Sequence, residues 1–126
     1  MQRLISIEES QVYWCEQSGF KCSAKTFSAV NLAIKLRDSS LQRNEGHGFT
    51  LERLALVECT IEGGHFAKNS LSNVNLSQVH NWQDTKYAVE ISKSEFSQSD
   101  ENGLTVFDTG FYLSGCKIKD NKGNGV

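Results

Sequence analysis

At 126 residues and 14.1 kDa, with a net charge of −2, the chain has room for one small domain or a piece of a larger one. That charge argues against a nucleic-acid module held by phosphate contacts, and no apolar run approaches the roughly 18 residues of a membrane span. Zero Pro and only 10 Gly exclude collagen, and 4 Cys in this length do not make a disulfide-stapled fold.

In chain order, one pattern recurs: an apolar residue, any two, a Ser or Cys, any one, an apolar residue. It reads Ile7–Ser10–Val12, Leu36–Ser39–Leu41, Leu56–Cys59–Ile61, Val74–Ser77–Val79, Ile91–Ser94–Phe96 and Leu113–Cys116–Ile118. Two residues upstream stands another apolar side chain in five copies (Ile5, Ile34, Leu54, Val89 and Phe111), the alternation of a strand with one buried face. Downstream, Phe20, Phe49, Leu104 and Val126 each follow a glycine. Ile34–Phe49 and Phe111–Val126 coincide at every apolar, Asn and Gly slot across an offset of 77. Units this short cannot bury their own apolar face, so they must stack. Ile7, Leu36, Leu56, Val74, Ile91 and Leu113 are expected to form one inward column. Leu41, Ile61, Val79, Phe96 and Ile118 are expected to form a second. Asn44 and Asn121 suit bends whose amide satisfies backbone groups.

Three stretches depart from the unit. Residues 21–33 read as an irregular insertion, His80–Lys86 as a projecting loop carrying Trp82, and Thr105–Gly110 as a lengthened turn.

These units resemble the repeat of right-handed parallel β-helices, the pectate-lyase-like family of carbohydrate-binding and sugar-hydrolase solenoids. The ending SGCKIKDNKGNGV is typical of it. The resemblance covers about residues 5–20 and 34–126 and implies an all-β, single-stranded parallel β-helix of about six coils, spanning 1–126 as one segment. A leucine-rich repeat is the rival, because Leu51–Leu54–Leu56–Cys59–Ile61 fits its spacing. The other copies lack the leading Leu, and their second halves carry Gly turns in place of apolar helix positions, so the β-helix is preferred.

Chemistry-bearing residues are sparse. Cys59 and Cys116 fall in equivalent corner slots about three strand spacings, roughly 14 Å, apart, too far for a disulfide; they are expected unbridged and mostly buried. His47, His65 and His80 read as turn residues with no acidic partners at metal-ligand spacing. The resemblance implies lyases with acidic calcium ligands and an Arg or Lys base, or hydrolases with clustered Asp. The nearest approach here is Arg37–Asp38 beside Glu58, without a dense acidic set, so no catalytic residue is carried over. Tyr13, Trp14, Trp82 and Tyr112 are candidate exposed aromatics, platforms that sugars and protein partners both use.

The resulting expectation is a non-catalytic binding or scaffold segment without metal or cofactor, engaging partners through Arg37, Asp38, Glu58, Tyr112 and Trp82. The partner would be a protein, or a second copy meeting the open coil ends; nucleic acid and membrane are not expected. The alternative is a fragment of a polysaccharide lyase, glycoside hydrolase or glycan-binding protein. Nothing in MQRLISIEES has the apolar length of a secretion signal, which favours a cytoplasmic location.

Overall fold

A computed structural model describes residues 3–82 and 87–125. Every regular element among them is a strand. The first coil comprises β1 (Arg3–Glu8), β2 (Gln11–Tyr13) and β3 (Phe20–Ala29); the second, β4 (Leu32–Arg37), β5 (Ser40–Gln42) and β6 (Phe49–Leu56). The third holds β7 (Glu58–Glu62), β8 (His65–Ala67) and β9 (Val74–Asn81); the fourth, β10 (Val89–Ser92), β11 (Glu95–Ser97) and β12 (Leu104–Phe107). β13 (Phe111–Ser114) and β14 (Lys117–Lys119) open a fifth. The strands stack into three parallel sheets, ordered β1-β4-β7-β10-β13, β14-β11-β8-β5-β2 and β12-β9-β6-β3. This is a parallel β-helix, as the repeat implies, but with four three-stranded coils and part of a fifth instead of about six.

The coil step explains the difference. Equivalent residues are 29, 25, 30 and 22 apart, and the first three of these steps exceed the 17 to 22 that most of the motif copies suggest. The observed first column is Ile7–Leu36–Ile61–Ile91–Leu113, and the second is Val12–Leu41–Phe66–Phe96–Ile118. Leu56 and Val74 therefore leave the expected first column, and Ile61 and Val79 leave the second. Val74 joins Phe20, Phe49 and Leu104 in the third sheet. Ring stacking extends along the columns, with centroids 4.9 Å apart for Phe20–Phe49 and 5.2 Å for Phe66–Phe96. Burial is complete in the middle coils at Leu36, Leu41, Phe49, Ile61, Phe66 and Phe96.

Left-handed backbone makes the corners. Glu9, Asp38, Gly63, Lys93 and Gly115 occupy the bend from first to second sheet, with φ between 48° and 68°. Trp14, Arg43, Lys68, Gln98 and Asp120 occupy the bend after the second sheet, and Arg53, Gln78 and Asp108 kink the third. One such residue between two inward side chains turns the chain and resets which face points in. The Ser/Cys slot follows the first bend. Ser39 Oγ accepts the Ser10 N–H (3.1 Å) and donates to the Arg37 carbonyl (2.9 Å); Ser94 Oγ accepts the Gly64 N–H (3.0 Å) in the same way. Cys116 fills this slot, whereas Cys59 lies inside β7 facing the core. All four cysteines are free, Cys59 buried and Cys116 only half-buried. Burial pushes the Cys59 thiol up, with a smaller push from the Glu58 charge.

Residues 21–33, expected as an irregular insertion, are largely strand. β3 runs to Ala29 with a bulge, three extra residues between the Ser23↔Glu52 and Ser28↔Leu54 pairs, and β4 starts at Leu32. Thr105–Gly110 is likewise strand at its start, within β12. His80 and Asn81 end β9; residues 83–86 of the expected loop and Val126 lie outside the described residues.

A ladder of amides runs through the second bend. Asn44 Oδ1 accepts the Cys15 N–H (3.0 Å), and Asn69 Oδ1 accepts the Asn44 N–H (3.1 Å). Asn121 Oδ1 accepts the Ser99 N–H (3.0 Å). Each amide N–H₂ reaches back to the preceding coil: Asn69 Nδ2 donates to the Leu41 carbonyl (3.1 Å), Asn121 Nδ2 to that of Phe96 (3.2 Å). Opposite each ladder amide, on the preceding coil, stands a glycine. A Cβ on Gly19 would sit 2.8 Å from Asn44 Nδ2, one on Gly48 2.7 Å from Asn69 Nδ2, and one on Gly103 2.7 Å from Asn121 Nδ2. The third coil breaks the rule in a compensated way. Asn73 takes its glycine slot while the facing ladder residue of the fourth coil shrinks to Ser99. The Asn73 amide bridges the gap, accepting from Asn69 Nδ2 (2.8 Å) and donating to Asn121 Oδ1 (3.2 Å) and the Ser97 carbonyl (3.1 Å).

Replacing Asn73 by Gly alone strands buried groups and is expected to cost about 1–3 kcal/mol. Adding Ser99→Asn restores the glycine–amide pairing of the other coils and is expected to recover most of the loss, read from urea midpoints in a double-mutant cycle. Additive losses in the double variant would reject the exchange. Ile61→Ala, in the fully buried first column, is expected to cost about 2–5 kcal/mol through the cavity it opens.

Candidate functional site

The outer face of the first sheet carries most of the residues singled out from sequence, and it spreads them out. Arg37 ends β4, its guanidinium 3.8 Å from Glu8. Asp38 makes the bend and donates its N–H to the Glu62 carbonyl (2.9 Å). Glu58 pairs in register with Ala33, four strand positions from Arg37, and accepts from the Thr60 hydroxyl (3.2 Å). Tyr112 lies three coils beyond Arg37, beside Glu90 in register, with its ring 5.4 Å from Tyr87. Trp82 follows β9 on the third sheet, its N–H on the Leu56 carbonyl (2.6 Å). Arg37 and Asp38 are neighbours; Glu58, Tyr112 and Trp82 do not join them in one patch.

A more concentrated site lies on the second sheet, which sequence reasoning missed. Each of its strands is three residues long with the middle one inward, so its outer face shows two residues per coil. One row runs Ser40–His65–Glu95–Lys117, the other Gln42–Ala67–Ser97–Lys119. Ala67 and Ser97 are small and sheltered between longer neighbours, and they floor a trough of about 220 Å³ walled by His65, Glu95, Lys68, Gln98, Lys119 and Asp120. His65 Nδ1 is 3.0 Å from Glu95 Oε2, and Lys119 Nζ is 3.4 Å from Glu95 Oε1. Glu95 is held from both sides while its neighbours present free donors and acceptors to solvent. The charges lining the trough, Lys68 and Lys119 against Glu95 and Asp120, cancel. The missed signal was the spacing Ile61–Phe66, which equals Leu36–Leu41 and aligns His65 with Ser40 and Glu95. Gly64, standing where the other coils have Ser or Cys, concealed it.

No group of three or more His, Cys, Asp or Glu among the described residues could hold a metal ion. His47, in the turn after β5, places its Nδ1 3.0 Å from the Ser72 backbone nitrogen and 3.3 Å from the Ser72 carbonyl oxygen. Burial lowers its pKa, more than the Ser72 carbonyl and nearby Glu101 and Glu52 raise it. His80 Nε2 is 3.4 Å from Asp108, with the Phe27 ring edge-on at 5.3 Å.

No family model matches the chain, and no curated protein matches it. Among solved structures, the A-module of a mannuronan C-5 epimerase from Azotobacter vinelandii superposes with a TM-score of 0.67 at 18% identity. The match covers 97% of this chain and 36% of that one, so the chain spans little more than a third of that module. The likeness is one of fold.

Because the folded state lowers the His47 pKa, the unfolded chain binds that proton more readily. Stability from this residue is full above about pH 6.5, the ordinary histidine value, and declines as pH falls from there to the lowered pKa. Urea midpoints are expected to drop between about pH 7.5 and pH 5, and His47→Gln is expected to flatten that part of the profile. In keeping with the parallel β-helix of the epimerase module, the chain is a β-solenoid whose most concentrated polar site is the trough on its second sheet.

Proposed function

We propose that the chain is a non-catalytic polysaccharide-binding segment of a β-helical protein, with the sugar chain lying in the trough above Ala67 and Ser97. The observation that carries this reading is the trough itself. Its floor is small and smooth, and its walls alternate donors (Lys68, Lys119) with acceptors (Glu95, Asp120) and amides (Gln42, Gln98). Hydroxyl-rich rings need such interleaving, and cancelling charges select for hydroxyls over net charge. Glu95 is committed to His65 and Lys119, which suits orientation of a ligand better than proton transfer. The name of the epimerase module, a protein acting on a polysaccharide, supports the same ligand class.

The test is isothermal titration against β-1,4-mannan and mannuronan oligosaccharides, two ligands that differ in the carboxylate. Binding is expected for the neutral series and is expected to change little across salt, since the walls carry no surplus charge to screen. Ser97→Trp, which fills the floor, is expected to abolish it without changing the urea midpoint. Failure of both series to bind would overturn the reading, and mass-spectrometric detection of chain cleavage or epimerisation would replace it with an enzymatic one.

A second reading keeps a protein partner on the first sheet. It is favoured by Tyr87 and Tyr112, each about half exposed and packed on one another beside Glu90. Cross-linking through a photoreactive group at Tyr112 is expected to capture a discrete protein if this face docks one, and only buffer or self-adducts if it does not.

A further inference from the structure

The bend after the second sheet holds one residue whose conformation its own contacts do not repay. Trp14 sits at φ 62°, a left-handed backbone that bulky side chains rarely adopt. The other four coils place Arg43, Lys68, Gln98 and Asp120 there, long or short polar residues that reach solvent easily. A buried aromatic could offset the backbone cost, but Trp14 is 68% exposed, the most exposed of the large apolar side chains among the described residues. It has two contacts with the second coil. The Trp14 N–H bonds the Arg43 carbonyl (3.2 Å), and the Arg43 guanidinium lies 5.7 Å from the ring centroid. Most of the indole remains open to solvent. Beside it a recess of about 300 Å³ is lined by Trp14, Arg43, Glu45, Lys68 and Ser70.

Lys68 lines both this recess and the trough, so the two are adjacent. Successive bends are about 4.8 Å apart along the stack. An extended chain lying along the solenoid axis would meet one bend side chain per coil: Trp14, Arg43, Lys68, then Gln98 beside the trough floor.

We propose that Trp14 is a stacking subsite for a sugar ring and that the bound polysaccharide runs parallel to the solenoid axis, from Trp14 in the first coil to the trough in the third and fourth. This rests on the trough being a polysaccharide site. The apolar face of a pyranose covers the exposed part of the indole, while Glu45 and Ser70 bond its hydroxyls. Short oligosaccharides fill the trough alone; only longer ones reach Trp14.

The chain contains two tryptophans, so Trp82→Phe leaves Trp14 as the sole reporter. With the mannan oligosaccharide ladder, Trp14 emission is expected to shift for the long members and to stay unchanged for the disaccharide. Trp14→Ala is expected to weaken the long members about tenfold, the size of one good aromatic contact, and to leave the disaccharide affinity unchanged. Long members that bind with no change in Trp14 emission, or that lose nothing in Trp14→Ala, overturn the stacking subsite and leave the trough reading intact. Equal weakening of all lengths also overturns it, placing Trp14 in a structural role. If no member of the ladder binds the wild-type chain, the trough reading falls and the subsite with it. The emission measurement needs no change at Trp14, so the proposal remains testable if Trp14→Ala fails to fold.

Discussion

Everything in this molecule depends on hydrogen bonds that run from one coil to the next. The strands of one coil pair only with those above and below, and the Ser39 and Ser94 hydroxyls and the Asn44, Asn69 and Asn121 amides likewise bond from coil to coil. Among the described residues no helix and no cross-packed layer shares the load. A bend in such a stack must satisfy its polar groups within one strand spacing, or bury them unpaired at a cost of about 1–3 kcal/mol each. Asparagine meets that demand because its amide spans both roles in a single short side chain, and it fits only where the facing residue has no Cβ. Sequence, bend and core are thus coupled: the glycine slots exist because of the asparagines, and the asparagines exist because the chain must turn where aromatic rings stack beneath.

How much of this is visible in the residues alone depends on the period. The 77-residue correspondence of Ile34 with Phe111 spans three coils and is correct in the structure, as are four of the six small-residue corners (Ser10, Ser39, Ser94 and Cys116). The other two copies are genuine matches to the same spacing and yet lie elsewhere. Val74–Ser77–Val79 falls inside β9, where Gln78 adopts the left-handed backbone that Asp38 adopts at a true corner. Both places set two buried apolar residues five positions apart (Leu36 and Leu41, Val74 and Val79), so a composition-based template cannot tell a kink within a strand from a bend between strands. Leu56–Cys59–Ile61 straddles the join of β6 and β7. Gly64 replaced Ser at the real third corner and hid it. A period of 17 to 22 residues separates His65 from Glu95, which are neighbours only at the true step of 30.

The two candidate faces differ in what their geometry allows. On the first sheet, charges such as Glu8 and Arg37 are exposed and loosely paired, an arrangement that contributes little to stability or specificity. On the second, strands of three residues bring both flanks of each strand to the surface, and the small Ala67 and Ser97 let those flanks enclose a space. Narrow sheets make troughs where broad ones make flat faces. This is why the short strands, which contribute the fewest backbone pairs, carry the more structured surface.

The exchange between Asn73 and Ser99 also bears on how this solenoid could grow or shrink. Most joints are interchangeable: a coil ending in a glycine slot accepts any coil that brings a ladder asparagine, so the second coil could follow a copy of itself. The joint between third and fourth is not, because the amide that belongs to the fourth is carried by the third. Those two coils form a matched pair that must be gained or lost together. They are also the two that floor the trough, so rearrangement elsewhere along the stack can change its length while this unit passes through intact.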